Sequence, residues 1–166
     1  MLFRSNPNYV VEQYLATYVN DDGTELYQVY VDRGSVPPDP VDNGDIDTPT
    51  KASTAQYSFT YDGWNEITSI MTGPRTIVAT YTSTIRTYTV TWYERSTVPL
   101  ATMQKEYGQE AIYPNTIPTR TEDEDSLRYY VFLGWDKSTG YITGDIDVYA
   151  LWDDKYLPAV GAKDLS

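Results

Sequence analysis

The sequence predicts a mainly β protein built as two tandem copies of one small module. Three observations carry this. Aromatic and β-branched residues are dense and alternate with polar ones, the pattern of half-buried strands. No stretch has helical periodicity long enough to compete with them. The third observation is that the chain repeats itself. Tyr129-Tyr130-Val131-Phe132-Leu133-Gly134-Trp135-Asp136 echoes Gln56-Tyr57-Ser58-Phe59-Thr60-Tyr61-Asp62-Gly63-Trp64-Asn65.

The echo continues on both sides of that stretch. Tyr14-Leu15-Ala16-Thr17-Tyr18 answers Tyr88-Thr89-Val90-Thr91-Trp92, and Arg33-Gly34 answers Tyr107-Gly108. Pro49-Thr50-Lys51 answers Pro118-Thr119-Arg120, and Val78-Ala79-Thr80-Tyr81 answers Tyr149-Ala150-Leu151-Trp152. The offset is 74 residues at the glycines, 69 at the prolines and 71 at the tryptophans. The drift falls between motifs, where loops absorb insertions at little cost. A repeat of this period sets the architecture before any finer reading. The predicted organisation is an arm over residues 1–12, a first module over 13–82, a short stiff linker over 83–86, a second module over 87–153 and a tail over 154–166.

Taken in order, Asn6-Pro7-Asn8 is turn chemistry, and the arm is read as a frayed terminus, with docking on a neighbouring subunit as the alternative. The first strand is placed at 13–19. Asn20-Asp21-Asp22-Gly23 turns it into a hairpin with 25–31. The segment from Gly34 to Asp45 holds three prolines in tandem-like spacing and is read as a long polar loop. A third strand spans 56–62, Gly63-Trp64 is read as turning the chain, and a fourth strand spans 76–82. The linker contains neither Gly nor Pro. In the second module the strands fall at 87–93, 100–106, 127–133 and 147–152, with a solvated acidic tip at Glu122-Asp123-Glu124-Asp125.

Each module has about 70 residues, near the lower limit for a self-sufficient core, so large aromatic side chains are needed to bury enough area. Seventeen Tyr and four Trp supply them. Trp64, Trp135, Tyr57, Phe59, Tyr130, Phe132, Trp92 and Trp152 are the expected core residues, with Tyr57, Phe59 and Tyr61 on one strand face.

Composition narrows the chemistry. The chain has no Cys and no His, which removes disulfides, thiol nucleophiles, imidazole acid–base catalysis and the commonest transition-metal ligands. The net charge of −12 is spread over both modules and argues against nucleic acid and against anionic membranes as partners. No run approaches the ~20 apolar residues of a membrane span. Paired carboxylates among Asp45, Asp47, Asp145 and Asp147 are the only catalytic candidates. The two Gly-Asp-Ile-Asp tetrapeptides fall at different places in the repeat and are read as turn chemistry, so no enzymatic activity and no cofactor are expected. Asp39, Asp42, Asp45 and Asp47 crowd one loop and are the weak candidates for calcium, because they offer hard oxygen ligands.

Tyr88–Tyr93, Tyr107-Gly108, Pro118–Arg120, Phe132–Asp136 and Val148–Trp152 together resemble the Listeria–Bacteroides repeat, the module of internalin B-repeats and of many bacterial surface and phage proteins. In the first module Gly34, Pro49–Lys51, Asp62–Asn65 and Val78–Tyr81 match the same pattern. The resemblance implies β-grasp-like small α+β modules serving as extracellular spacers, stalks or adhesive units without catalytic residues. An Ig-like β-sandwich is the alternative architecture. Met1–Pro7 lacks the apolar core of a signal peptide, and Leu157–Gly161 lacks the Thr of a sortase signal, which moves the expectation toward a phage virion component.

The expected function is therefore a non-enzymatic structural, spacer or decoration protein of the virion. It would work with protein partners in a larger assembly or as a homo-oligomer. The alternative is an adhesin-type module at a bacterial surface that binds a host glycan or receptor. Tyr27, Tyr30, Tyr113 and Tyr141 are the tyrosines such binding would use if they are exposed.

Overall fold

The computed structural model describes residues 9–120 and 127–156. The eight strands are β1 (Gln13–Val19), β2 (Glu25–Asp32), β3 (Tyr57–Trp64), β4 (Arg75–Ile85), β5 (Thr87–Tyr93), β6 (Pro99–Glu106), β7 (Arg128–Trp135) and β8 (Ile146–Tyr156). The chain divides into two compact units, Met1–Thr84 and Ile85–Ser166. The class is mainly β in two tandem modules, and no helix occurs among the described residues. The described residues between the second and third strands of each unit, 33–56 and 107–120, are loop and turn. The acidic tip 122–125 and most of the predicted arm and tail lie outside the described residues.

Each unit holds one four-stranded sheet with the same order, β2-β1-β4-β3 in the first and β6-β5-β8-β7 in the second. The opening hairpins are antiparallel and share one irregularity, a register shift at Tyr18/Val19 and again at Trp92/Tyr93. The central pairs are parallel, from Ala16↔Arg75 to Val19↔Val78 and from Val90↔Ile146 to Tyr93↔Tyr149. A parallel central pair needs a long crossover, and the connection between the second and third strands of each unit belongs to it.

Three boundaries differ from expectation. β4 continues to Ile85, so Arg86 alone separates it from β5. β8 continues to Tyr156, and its last residues pair with β7, Arg128↔Tyr156 and Val131↔Asp153. The predicted tail thus begins inside the sheet. The charged run Asp153-Asp154-Lys155 masks the strand in sequence, but Asp153 and Lys155 neutralise each other at 2.6 Å. Gly63-Trp64 and Gly134-Trp135 do not turn the chain either; both stay within their strands.

The core of unit 1 is formed by Ala16, Tyr18, Val31, Trp64, Met71, Ile77 and Ala79. That of unit 2 is formed by Tyr88, Val90, Trp92, Ala111, Ile142 and Val148, with Trp135 packed against it. Tyr18 and Trp92 occupy the same repeat position and both are fully buried. Tyr18 meets Trp64 edge-on at 5.0 Å. In unit 2, Tyr113 from the crossover bridges Trp92 (5.7 Å) and Trp135 (4.8 Å). Each such side chain contributes about 1.5–3 kcal/mol by leaving water.

The Tyr18 hydroxyl donates to the Pro38 carbonyl. Burial, then the Asp39 charge, push its pKa up to about 12 from 10.0. Burial, then the same carboxylate, also raise that of Tyr61. A raised phenol pKa means that the unfolded chain ionises first. Stability held below pH 10 is then lost as pH rises toward 12. Thermal melts across this window will show unit 1 weakening with pH, and Tyr18→Phe will flatten that dependence. Unit 2, which has Trp92 at this position, will respond less.

Candidate functional site

The loop that holds the weak calcium candidates is tied to the fold through Asp39. Asp39 Oδ1 accepts hydrogen bonds from Trp64 Nε1 (3.1 Å), Val41 N (2.9 Å) and Asp42 N (3.3 Å). The backbone closes below it through Asn43 N→Asp39 O (3.1 Å) and Asp45 N→Pro40 O (2.8 Å). This carboxylate satisfies an indole N–H that would otherwise be buried unpaired, and it explains why Asp stands ahead of the turn. Asp45 lies against the Tyr27 hydroxyl, whose pKa is raised by burial and then by that charge. Asp42 and Asp47 are exposed. Among the described residues, no group of three or more acidic side chains is placed to hold a metal ion.

The paired tetrapeptides separate in role as well as in place. Asp145 Oδ1 accepts a hydrogen bond from Thr89 N at 2.8 Å, fastening the start of β8 to β5. Ile46 and Ile146 pack against their respective cores. Asp47 and Asp147 are exposed. Neither pair is set up as an acid and a base around a shared cavity.

The repeated motifs resolve into three devices, each built twice. Gly34 and Gly108 have φ of 83° and 82°. There the chain leaves the second strand and is clasped by the loop before the fourth: Gly34 N→Met71 O (2.8 Å) with Met71 N→Ser35 O (2.8 Å), and Gly108 N→Ile142 O (2.7 Å) with Ile142 N→Gln109 O (3.0 Å). The clasp drives Met71 and Ile142 into the cores.

At Gly63 and Gly134, φ is 103° and 136°. The β7–β8 register shifts between Phe132 and Gly134. This extra residue moves the next side chain to the other face. Trp135 therefore joins Phe132 on the core side at 5.3 Å, and Trp64 reaches Tyr61 at 5.8 Å. The following Asx locks the bulge. Asn65 N donates to Val78 O (2.9 Å) and Asn65 Oδ1 accepts from Val78 N (2.6 Å); Asp136 and Tyr149 make the same pair at 2.9 and 2.7 Å.

The Pro-Thr-Lys and Pro-Thr-Arg motifs form the third device. Lys51 Nζ pairs with Asp21 at 2.5 Å and lies 4.5 Å over the Phe59 ring. Arg120 lies 3.7 Å over Tyr130 and 3.9 Å from Glu94. In each unit a cation from the crossover covers the aromatic of the third strand and ties it to the hairpin turn.

Of the expected core residues, Trp64 and Trp92 are buried. Trp135, Tyr57, Phe59, Tyr130, Phe132 and Trp152 are half-buried, the last touching Phe132 at 5.6 Å. Tyr18, Met71 and Ile142 are core residues that the sequence reading left out. Tyr18 and Trp92 were matched by the repeat, which was the available signal. Met71 and Ile142 sit in loops with no periodicity to mark them.

Of the four tyrosines considered for binding, Tyr27 and Tyr113 are half-buried against the cores. Tyr30 and Tyr141 remain exposed, at 66% and 63%. Tyr141 lies over Gly108, where an added Cβ would stand 3.3 Å from the ring. It borders a small recess of about 150 Å³ that also takes in Thr143, Gly144 and Asp145. A wider groove of about 460 Å³ runs past Glu94, Ser96, Pro99 and Arg120. Its serine Oγ accepts a hydrogen bond from Val98 N at 3.1 Å.

No family model matches the chain, and a search of curated proteins also gives no match.

Asp39→Ala leaves the Trp64 indole N–H unpaired and will cost unit 1 about 1–3 kcal/mol in denaturant unfolding. Asp39→Asn, which keeps the acceptor oxygen, will retain most of that stability. Excess calcium will leave the wild-type midpoint unchanged in the same experiment.

Proposed function

We propose that this chain is a non-enzymatic structural or spacer component of an extracellular assembly, and specifically of a phage virion. The observation that carries the reading is the use made of its polar residues. In both units the repeated carboxylates, amides and cations fasten backbone and cover aromatic rings. They do not converge on a cavity as nucleophile, acid and base. Investment in the same frame twice, with Arg86 alone between the fourth and fifth strands, suits a part whose task is to occupy and hold space. The resemblance of its motifs to the Listeria–Bacteroides repeat supports an extracellular setting, where such modules act as spacers.

A surface-adhesin reading is favoured by one feature. Tyr141 presents an exposed ring beside a small recess with Asp145 at its edge, a ring face and carboxylate that a sugar could use.

Quantitative mass spectrometry of purified particles, cell wall and medium tests the location. A fixed copy number per particle is expected. Enrichment in the cell wall with none in particles would replace the virion reading by the adhesin one, and Tyr141→Ala would then reduce glycan binding on an array.

A further inference from the structure

The chain contains a single Asn-Gly pair, Asn43-Gly44. It lies in the turn of the unit 1 crossover, and both residues are exposed. In such a pair the backbone nitrogen of the second residue can attack the side-chain amide carbon of the first. Glycine leaves that nitrogen without a side chain beside it.

The fold treats this asparagine unlike the others it describes. Asn20 Nδ2 donates to Thr50 O at 3.0 Å, and its Oδ1 accepts from the Tyr81 hydroxyl at 2.6 Å. Asn65 Oδ1 accepts from Val78 N at 2.6 Å, and Asn115 Nδ2 donates to Leu100 O at 3.3 Å. Each of these bonds fixes an amide in place. Asn43 uses only its backbone, with N donating to Asp39 O at 3.1 Å, and its side chain makes no hydrogen bond among the described residues. The two Asp-Gly pairs are restrained as well. Asp22 Oδ1 accepts from Thr24 N at 2.9 Å while Gly23 N is held on Asn20 O at 2.9 Å, and Asp62-Gly63 lies inside β3. Their ionised carboxylates are also poorer electrophiles than an amide. Gly44 has φ of 77° and open space around its Cα. One bond holds its nitrogen, Gly44 N→Val41 O at 3.0 Å, and a bond in an exposed turn opens at small cost.

We propose that Asn43 is a self-modification site that converts to isoaspartate and aspartate in the folded protein, with water as the only co-reactant. Once the turn bond opens, hydroxide takes the Gly44 amide proton and the nitrogen bonds to Asn43 Cγ. The side-chain nitrogen leaves as ammonia after taking a proton from water, and a cyclic imide is left. Water then opens the imide. Breaking the bond from Gly44 N to Cγ gives aspartate; breaking the bond from Gly44 N to the Asn43 backbone carbonyl gives isoaspartate. The sum is one water taken up and one ammonia released, with no change of oxidation state. Isoaspartate lengthens the backbone by a methylene inside a turn closed by Asp45 N→Pro40 O (2.8 Å) and Ile46 N→Pro40 O (3.2 Å). Ile46 packs on the core, so the change loosens unit 1. It also adds a carboxylate between the exposed Asp42 and Asp45. Unit 2 has no Asn-Gly pair and keeps its frame. The chemistry needs no partner, so it stands or falls separately from the virion assignment.

The full folded chain, aged in mildly alkaline buffer at physiological temperature, tests this by peptide mapping with mass spectrometry and by ammonia release. Loss of the amide at Asn43 is expected, in two isomeric products of which one is a substrate for an isoaspartyl methyltransferase. Asn20, Asn65 and Asn115 will keep theirs. Asn43→Gln will release no ammonia over the same period, and only the wild type will show a lowered unfolding midpoint of unit 1 on ageing. Retention of the Asn43 amide in the folded chain while the urea-unfolded chain loses it would overturn the site. Equal loss at the other three asparagines would do the same. An aged wild-type midpoint equal to the fresh one would overturn the loosening of unit 1.

Discussion

Everything in each unit depends on getting a tryptophan across a strand. The aromatic run of β3 or β7 places alternate side chains toward the core, and strict alternation would send Trp64 and Trp135 to solvent. One glycine at positive φ changes the phase, so the indole lands on the same side as the aromatics before it. The Asx that follows closes two hydrogen bonds to the neighbouring strand and keeps the irregularity from sliding. A module of this size, with no disulfide and no helix over the described sheet, relies on that one packed ring for much of its buried area.

The two units reach the same end by different packing. In unit 1 the hydroxyl of Tyr18 is satisfied by the Pro38 carbonyl of a longer crossover, and Asp39 of the same loop holds the Trp64 indole. In unit 2 the crossover is shorter and supplies Tyr113, which fills the space between two indoles. Among the described residues Trp92 Nε1 has no hydrogen-bond partner. The five additional residues between Gly34 and Pro49, relative to Gly108 and Pro118, thus bring polar anchors, whereas unit 2 substitutes aromatic volume.

Much of this was legible in the chain itself. Seven of the eight strands were visible as aromatic and β-branched runs, β6 (Pro99–Glu106) was placed as the hairpin partner of β5, and the repeat gave the two modules. The phase change at Gly-Trp was not, because a glycine before a tryptophan reads equally well as a corner. The end of β8 was hidden by its charges, which become compatible with a strand only once Lys155 and Arg128 face Asp153 and Asp154. The acidic loop suggested a metal because side-chain type is readable from sequence and direction is not. Asp39 points inward to an indole 25 residues away. Likewise, Tyr27 and Tyr30 look equivalent in sequence, but only one faces the core.

The parallel pairing of β1 with β4 and of β5 with β8 has a mechanical consequence. In a parallel pair, the incoming end of one strand and the outgoing end of the other lie at opposite ends of the ladder. Tension applied through a unit's two ends therefore slides the central strands past each other. The bonds between Ala16–Val19 and Arg75–Val78, and between Val90–Tyr93 and Ile146–Tyr149, are loaded together and not one after another. A hairpin pulled from its open end would unzip a bond at a time. These sheets instead present their whole central seam to the load, which equips a small, uncross-linked protein to bear force along its backbone.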